Sequence, residues 1–294
     1  MSVCYAAPAS LSEALAFLAE RGPDSSILAG GMSVVPALKK GLLARKFLVN
    51  IKGIGGSTIP TLDGTGAQLT IGALVRHREI ETSPVVAAHL PALRGLEERL
   101  ASVQIRNHGT LVGNLCAAEP WSDPPCLLAA LDASLVVVTA RGERRVPAAD
   151  WILGEGTTLR RPDELLLQID IPMPAVNVGI GYSRVSGRQG LARPLACAAA
   201  CIAFSASANV TAARVFVGAI GPRPQRMTHV EAMLAGQRPI GELSAEIEHA
   251  VARVIEHHPD ERCGAQYKSQ VAGVLVRRAI ADAIAHAKRR GAEP

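Results

Sequence analysis

Two adjacent glycines near the N-terminus separate a short apolar run from the start of a helix. Residues 27–29 have the composition of a buried strand, Gly30-Gly31-Met32-Ser33 follows directly, and a helical pattern begins at Val34. Glycine permits positive φ and lets backbone N–H groups approach a ligand closely, while a helix start favours negative charge. The turn therefore has the chemistry of a phosphate cradle, although a purely structural strand-to-helix turn has the same pattern.

A second glycine-bearing segment, Arg106 to Asn114, follows about 80 residues later. It combines glycines with the Thr110 hydroxyl and with amide side chains, so the two segments together have the donors to hold two phosphates. Neither segment has the spacing of the dinucleotide-binding Rossmann fingerprint or of a Walker loop. The pattern therefore argues against a nicotinamide or ATP site of those types.

The order of the predicted elements indicates an α+β chain in two parts. Strands are predicted near residues 3–6, 27–29, 46–52, 69–73, 135–139 and 165–171, with helices near 10–22, 34–40 and 76–100. Prolines at 172 and 174 suggest a boundary. Beyond it, strands at 196–205 and 212–220 precede helices at 227–235, 243–257 and 266–286. We expect a domain at 1–175, with subdomains of about 1–57 and 58–175, and a second domain at 178–290.

Composition excludes several classes of function. Aromatic residues make up 3% of the 294 residues, so there is little surface on which nucleic-acid bases could stack, and the net charge of +5 is spread along the chain. The N-terminus lacks a signal-peptide pattern and no apolar stretch approaches the roughly 18 residues of a membrane span, so we expect a cytoplasmic protein. The six cysteines lack zinc or iron–sulfur spacing, and no metal site is expected in this chain.

A series of short motifs, in order along nearly the whole chain, resembles one known family. The chain is similar to the FAD-binding medium subunits of the molybdenum hydroxylases, the family of xanthine dehydrogenase and carbon monoxide dehydrogenase. Each motif is weak alone, but their order and spacing are jointly specific. The motifs are Ala29-Gly-Gly-Met-Ser33, Leu69-Thr-Ile-Gly-Ala73, Ile105-Arg-Asn-His-Gly-Thr-Leu-Val-Gly-Asn114, Ala118-Glu-Pro-Trp-Ser-Asp123, Tyr182-Ser-Arg184, Gly218-Ala-Ile-Gly221 and Tyr267-Lys268 with Val276-Arg-Arg-Ala-Ile280.

The resemblance implies a fold and a set of cofactor contacts. The fold would be a two-part α/β FAD-binding domain of the PCMH type, which is vanillyl-alcohol-oxidase-like, followed by a C-terminal domain of antiparallel sheet plus helices. Carried over position by position, FAD would contact Ala29, Gly30, Gly31, Met32, Ser33, Thr110, Gly113, Asn114 and Asp123. No catalytic residue and no metal ligand is implied in this chain.

The chain departs from the family pattern at two places. Val112 stands where the family usually has glycine, and a branched residue there is unfavourable if the backbone needs positive φ. Residues 190–194, Gly-Leu-Ala-Arg-Pro, lack the acidic residue that the family often has near the start of the following strand. We therefore leave Val112 and this stretch out of the expected FAD contacts.

The resemblance also implies a function within a larger assembly. The chain would be the electron-transfer flavoprotein of an oxidoreductase, with a large molybdopterin-binding subunit that oxidises the substrate and a small subunit that holds two [2Fe-2S] clusters. Its FAD would pass electrons to oxygen, a quinone or NAD, and the assembly would be a dimer of heterotrimers. Two alternatives remain open, a self-sufficient flavin oxidase and a scaffold subunit that has lost FAD.

Histidines and tryptophans near the expected cofactor segments invite a functional interpretation. A helix-surface or loop position is the simpler expectation for His77 and for His108, and a packing or interface role is the simpler one for Trp121 and Trp151. No Ser/His/Asp or paired-carboxylate spacing indicates hydrolysis.

Overall fold

The computed structural model describes residues 3–43, 45–55, 61–64, 66–187, 193–237, 244–255 and 263–291. Within these ranges the strands are β1 (Cys4–Ala6), β2 (Ser25–Leu28), β3 (Phe47–Asn50), β4 (Leu62–Asp63), β5 (Gln68–Gly72), β6 (Ser134–Thr139), β7 (Gly142–Pro147), β8 (Ile152–Gly154), β9 (Thr157–Thr158), β10 (Leu165–Pro172), β11 (Val178–Ser186), β12 (Pro194–Phe204), β13 (Val210–Gly218) and β14 (Gln225–Arg226). The helices are α1 (Leu11–Arg21), α2 (Val34–Lys39), α3 (His77–Thr82), α4 (Pro84–His89), α5 (Pro91–Glu98), α6 (Val103–Arg106), α7 (Leu111–Ala117), α8 (Pro124–Ala130), α9 (Ala148–Trp151), α10 (Thr228–Leu234), α11 (Ser244–Val254) and α12 (Ala265–Arg289).

The N-terminal part contains a small parallel sheet in the order β1-β3-β2. Helix α1 begins where the sequence indicates, because the Ser10 side chain accepts a hydrogen bond from the backbone N–H of Glu13 at 3.2 Å. Its apolar face buries Ala14, Leu15 and Leu18 in the larger of the two hydrophobic cores, which we call the main core. Strand β2 then leads directly into the first glycine turn and α2.

The second sheet has five antiparallel strands in the order β4-β5-β10-β6-β7. Strands β5 and β6 flank β10, and Leu69, Ile71, Leu135 and Ile169 are fully buried. Helices α3 to α8 run between β5 and β6 along the chain, and their apolar side chains contribute to the same core.

The C-terminal sheet, in the order β11-β12-β13-β14, is antiparallel and covered on both faces. On β12, Ala196, Ala198 and Ala200 face the second core with α12, whereas Cys197 and Ala199 face the main core with α8. Side chains alternate between faces along a strand, so a strand buried on both faces has a continuous apolar sequence. This explains the unbroken apolar run from Ala196 to Phe204.

Helix α12 lies directly on β11. A Cβ atom built on Gly179 or Gly181 would lie 1.9 Å from the carbonyl oxygen of Ala283 or Ala279. The absence of side chains at these two positions therefore allows the helix backbone to approach the strand. The closeness also brings His286 of α12 within hydrogen-bond reach of β11.

His286 gives the C-terminal domain a pH-dependent contact. The backbone N–H of Ile180 donates to its Nδ1 at 3.0 Å, and burial, followed by Arg290 and Arg289, lowers the pKa of His286. As the pH falls, His286 is therefore protonated in the unfolded chain before it is protonated in the folded chain. The contribution of this contact to the free energy of unfolding is complete at neutral pH and is lost as the pH falls below about 6.5. We expect His286→Asn, whose amide oxygen can accept the same bond, to reduce the loss of Tm between pH 7.5 and 5.5 by a few degrees.

Thermal unfolding at several pH values measures this effect. His89→Asn is the matched control, because His89 is exposed and should leave the pH dependence of Tm unchanged. Equal pH dependence of Tm in wild type and His286→Asn would rule out a contribution from His286.

The α+β fold class is confirmed, and most predicted elements are present. The main errors are local. The second glycine-bearing segment, residues 106–114, contains the end of α6 and the start of α7 on either side of a short turn, and β11 is absent from the predicted strands because its glycines obscure the strand pattern. Residues 243 and 256–257 of the predicted helix 243–257, and residues 190–192 of the stretch left out of the expected FAD contacts, lie outside the described residues. Among the described residues, no helix combines the length and apolar character that a membrane span requires.

Candidate functional site

A cleft of about 520 Å³ lies where the two parts of the N-terminal domain meet the C-terminal sheet. This volume is within the usual range for small-molecule sites. All nine residues predicted to contact the cofactor line it, although their contact with FAD stays a prediction. They are Ala29, Gly30, Gly31, Met32, Ser33, Thr110, Gly113, Asn114 and Asp123.

The two glycine turns are in direct contact. A Cβ atom built on Gly30 would lie 2.3 Å from the carbonyl oxygen of His108 and 2.8 Å from the Cα of Gly109. Gly31 has a φ of +80°, which favours glycine. The first turn can therefore pass against the second only because position 30 has no side chain, and the backbones of both turns border one cleft.

The second turn ends at a helix cap. The Thr110 side chain accepts a hydrogen bond from the backbone N–H of Gly113 at 3.0 Å and so caps α7. The turn is attached to α3, because the backbone N–H of His77 donates to the carbonyl of Gly109 at 2.9 Å. Thr110 therefore has a structural role that its motif did not indicate, and its hydroxyl hydrogen can still be donated to a ligand.

Val112 is compatible with this geometry. It lies in the first turn of α7, and it is not among the described residues with positive φ. Its side chain is buried, and its backbone N–H belongs to the first turn, where no carbonyl within the helix can accept it. The expected conflict between a branched residue and the backbone does not occur.

Asp123 joins the cleft to the C-terminal domain. Nη1 of Arg184 donates to Oδ2 of Asp123 at 2.7 Å and to the carbonyl of Arg99 at 3.1 Å, and the Arg184 and Asp123 side chains are 7% and 4% exposed. Burial raises the pKa of Asp123, and the Arg184 guanidinium opposes that rise. Arg184 was part of a recognised motif, but only the fold places it beside Asp123.

One oxygen of this carboxyl remains without a partner. Asp123 Oδ1 and the hydroxyl of the neighbouring Tyr182 are both buried, and neither has a hydrogen-bond partner among the described residues. Buried polar atoms in folded proteins are rarely left unsatisfied. The Tyr182 hydroxyl is a neighbouring donor for this oxygen, while the Asp123 side chain as a whole lines the cleft.

Several further side chains line the cleft beside the nine predicted residues. The guanidinium of Arg193 stacks on the ring of Trp121 with 4.5 Å to the ring centroid, and Nε1 of Trp121 donates to Glu119 at 2.8 Å. Arg45 and Arg160 add positive charge to the lining. Trp121 is therefore a cleft residue, whereas Trp151 is fully buried and donates to the carbonyl of Leu115.

These features fit a bound FAD. Its pyrophosphate needs close-approaching backbone donors and positive charge, which the glycine turns and the cleft arginines provide. Its ribityl and ribose hydroxyls need acceptors, and Asp123 places a carboxyl group in the lining of the cleft. The residues present therefore have the donor and acceptor chemistry that this cofactor requires.

Comparison with known protein families gives matches along most of the chain. Residues 1–174 match the FAD binding domain in molybdopterin dehydrogenase, and residues 182–283 match the CO dehydrogenase flavoprotein C-terminal domain. The chain belongs to the molybdopterin dehydrogenase flavoproteins. Among these flavoproteins, the beta subunit of caffeine dehydrogenase from Pseudomonas sp. (strain CBB1) is 33% identical over 95% of this chain and 94% of its own length.

Solved structures of molybdopterin dehydrogenases have the same fold. Carbon monoxide dehydrogenase from Hydrogenophaga pseudoflava, in a form lacking the Mo-pyranopterin moiety, has a chain with a TM-score of 0.91 and 30% identity, covering 97% of this chain and 98% of that one. Quinoline 2-oxidoreductase from Pseudomonas putida 86 gives a TM-score of 0.88 at 28% identity, covering 99% and 98%. The family assignment made from the motifs is confirmed, and with it the role of a flavoprotein subunit of an oxidoreductase.

Proposed function

We propose that this flavoprotein holds FAD in the cleft and transfers electrons from the [2Fe-2S] clusters of a small partner subunit to an external acceptor. The contact between the two glycine turns at Gly30 and His108 carries the proposal. It gathers backbone donors from distant segments at one place, as a pyrophosphate requires.

The nine predicted residues have distinct roles in this proposal. Ala29, Gly30, Gly31, Met32 and Ser33 form one side of the pyrophosphate site, and Thr110, Gly113 and Asn114 form the other. Asp123 would accept from a cofactor hydroxyl or N–H. When bound, FAD supplies the reversible two-electron chemistry, and the protein holds it, excludes water from it and sets its environment.

The substrate is oxidised outside this chain. Among the described residues, no group of three or more His, Cys, Asp or Glu side chains could hold a metal ion. The relatives act, by name, on caffeine, carbon monoxide and quinoline, so the organic substrate varies while the flavoprotein fold is retained. This supports assigning substrate choice to a large molybdopterin-binding subunit.

We also propose that the assembly is a dimer of heterotrimers in the cytoplasm. The family assignment supports partners of two kinds, the small [2Fe-2S] subunit and the large molybdopterin subunit. All six cysteines of this chain are unpaired thiols, which suits a reducing compartment.

The visible spectrum of the full chain tests the proposal. We expect a flavin spectrum that denaturation releases as FAD, identified by mass. We further expect the flavin absorbance to bleach when the chain is mixed with small subunit that was reduced beforehand and freed of excess reductant. Oxidised small subunit is the control and should cause no bleaching.

Other outcomes would favour the alternatives. A colourless chain in an active complex would contradict the proposal and support the scaffold role. Turnover of an organic substrate by the isolated chain would support a self-sufficient oxidase instead.

A further inference from the structure

A buried histidine–glutamate pair lies behind the second glycine turn. Nδ1 of His77 lies 2.8 Å from Oε2 of Glu97, and the two side chains are 4% and 0% exposed. His77 begins α3, and Glu97 lies near the end of α5. The surface or loop position expected for His77 is therefore wrong, because α5 packs over α3 and encloses the ring.

The His77 ring contacts both the glutamate and the turn. Its Nδ1 edge faces Glu97, while Cδ2, on the opposite edge, would lie 3.2 Å from a Cβ atom built on Gly109. Its backbone N–H donates to the carbonyl of the same glycine. His77 also lines the cleft. Gly109 is thus held by a main-chain hydrogen bond from His77, and the ring of the same residue lies beside it.

Glu97 is a costly residue at this position. Its carboxyl is fully buried, and Oε1 has no hydrogen-bond partner among the described residues. A buried polar pair is often no more stable than apolar residues of similar volume, and an unsatisfied oxygen adds a further cost. Core stability alone therefore does not account for a carboxylate here, whereas fixing the orientation of a functional side chain does.

We propose that His77, oriented by Glu97, is a positioning residue for the part of the cleft that receives the cofactor's phosphates. The pair holds Gly109 in register with Gly30, which contacts the same glycine from the other turn. Thr110 and the first turn of α7 follow directly, so their donors take their position from Gly109. This inference rests on the proposed function, since it assigns the phosphate-binding role to that cleft.

Ligand-binding measurements on the full chain, freed of flavin, test the inference. Glu97→Leu keeps a similar side-chain volume but removes the acceptor for His77. We expect it to raise the dissociation constants of FAD and ADP about tenfold. Riboflavin, which has no phosphate, should bind as it does to wild type. Glu97→Gln retains an acceptor and should restore FAD affinity to within about twofold of wild type.

Controls separate the inference from a general loss of structure. Glu98→Leu removes an exposed glutamate of the same helix that pairs with Arg94 at the surface. It should leave the affinities for FAD, ADP and riboflavin unchanged. If Glu97→Leu does not fold, His77→Leu/Glu97→Leu removes both polar groups together and should show the same phosphate-dependent loss.

The results have distinct meanings. Unchanged FAD and ADP affinity in the leucine variant, or an equal loss for riboflavin, would overturn the positioning role. A wild-type chain that binds neither FAD nor ADP would instead overturn the proposed function.

Discussion

Replacing Gly30 with valine should raise the dissociation constant for FAD about a hundredfold. The first atom of the new side chain would lie 2.3 Å from the carbonyl oxygen of His108, which is main chain and cannot rotate away. The two turns would have to separate, and overpacking of this kind costs about 1–3 kcal/mol, the upper part of which corresponds to a hundredfold change. Flavin content after purification and titration of the apoprotein with FAD both measure the effect.

The control for this substitution is another glycine of the same domain. Gly53 has open space where a Cβ would lie and is not among the described glycines with positive φ. Gly53→Val should therefore retain FAD as wild type does. A Gly30→Val chain with undiminished flavin content would show that contact between the turns is not needed for binding.

Replacing Arg184 with methionine should destabilise the chain by about 3–5 kcal/mol at neutral pH. The substitution keeps most of the side-chain volume but leaves Asp123 buried without its cation, and breaking a buried pair from one side has a cost of about this size. Urea unfolding of the full chain measures the loss. Arg94→Met is the control, because the exposed Arg94–Glu98 pair should contribute less than about 1 kcal/mol.

The loss in Arg184→Met should also depend on pH. Burial raises the pKa of Asp123, and Arg184 opposes this, so its removal raises that pKa further. A group whose pKa is higher in the folded than in the unfolded chain contributes stability at low pH that is lost as the pH rises through the folded value. The difference in the free energy of unfolding between wild type and Arg184→Met should therefore be largest at pH 8 and should become smaller toward pH 5.

A double variant identifies the cause of this instability. Asp123→Asn/Arg184→Met removes both charges, and we expect it to recover much of the stability lost in Arg184→Met at pH 8. If the double variant is no more stable than Arg184→Met, the loss comes from packing or from the Arg99 contact, and the buried carboxylate is not its cause.

Local sequence patterns were sufficient to predict much of the fold. The Ser10 cap, the apolar strands β6 and β10, and the turn after β2 were each predictable because capping, alternation and glycine conformations depend on neighbours in sequence. The errors have local causes as well. Gly179 and Gly181 weaken the strand pattern of β11, yet these glycines are what allow α12 to pack there.

The sequence by itself determined the family, the order of the elements and the two glycine turns, because these depend on residue types at short spacing. Only the tertiary structure decided that Gly30 meets His108, that Asp123 pairs with Arg184 of β11, and that α5 buries His77 against Glu97. Each of these contacts joins residues between 20 and 78 positions apart. Burial and pairing at such separations follow from how helices and sheets pack, which the periodicity of a single segment does not contain.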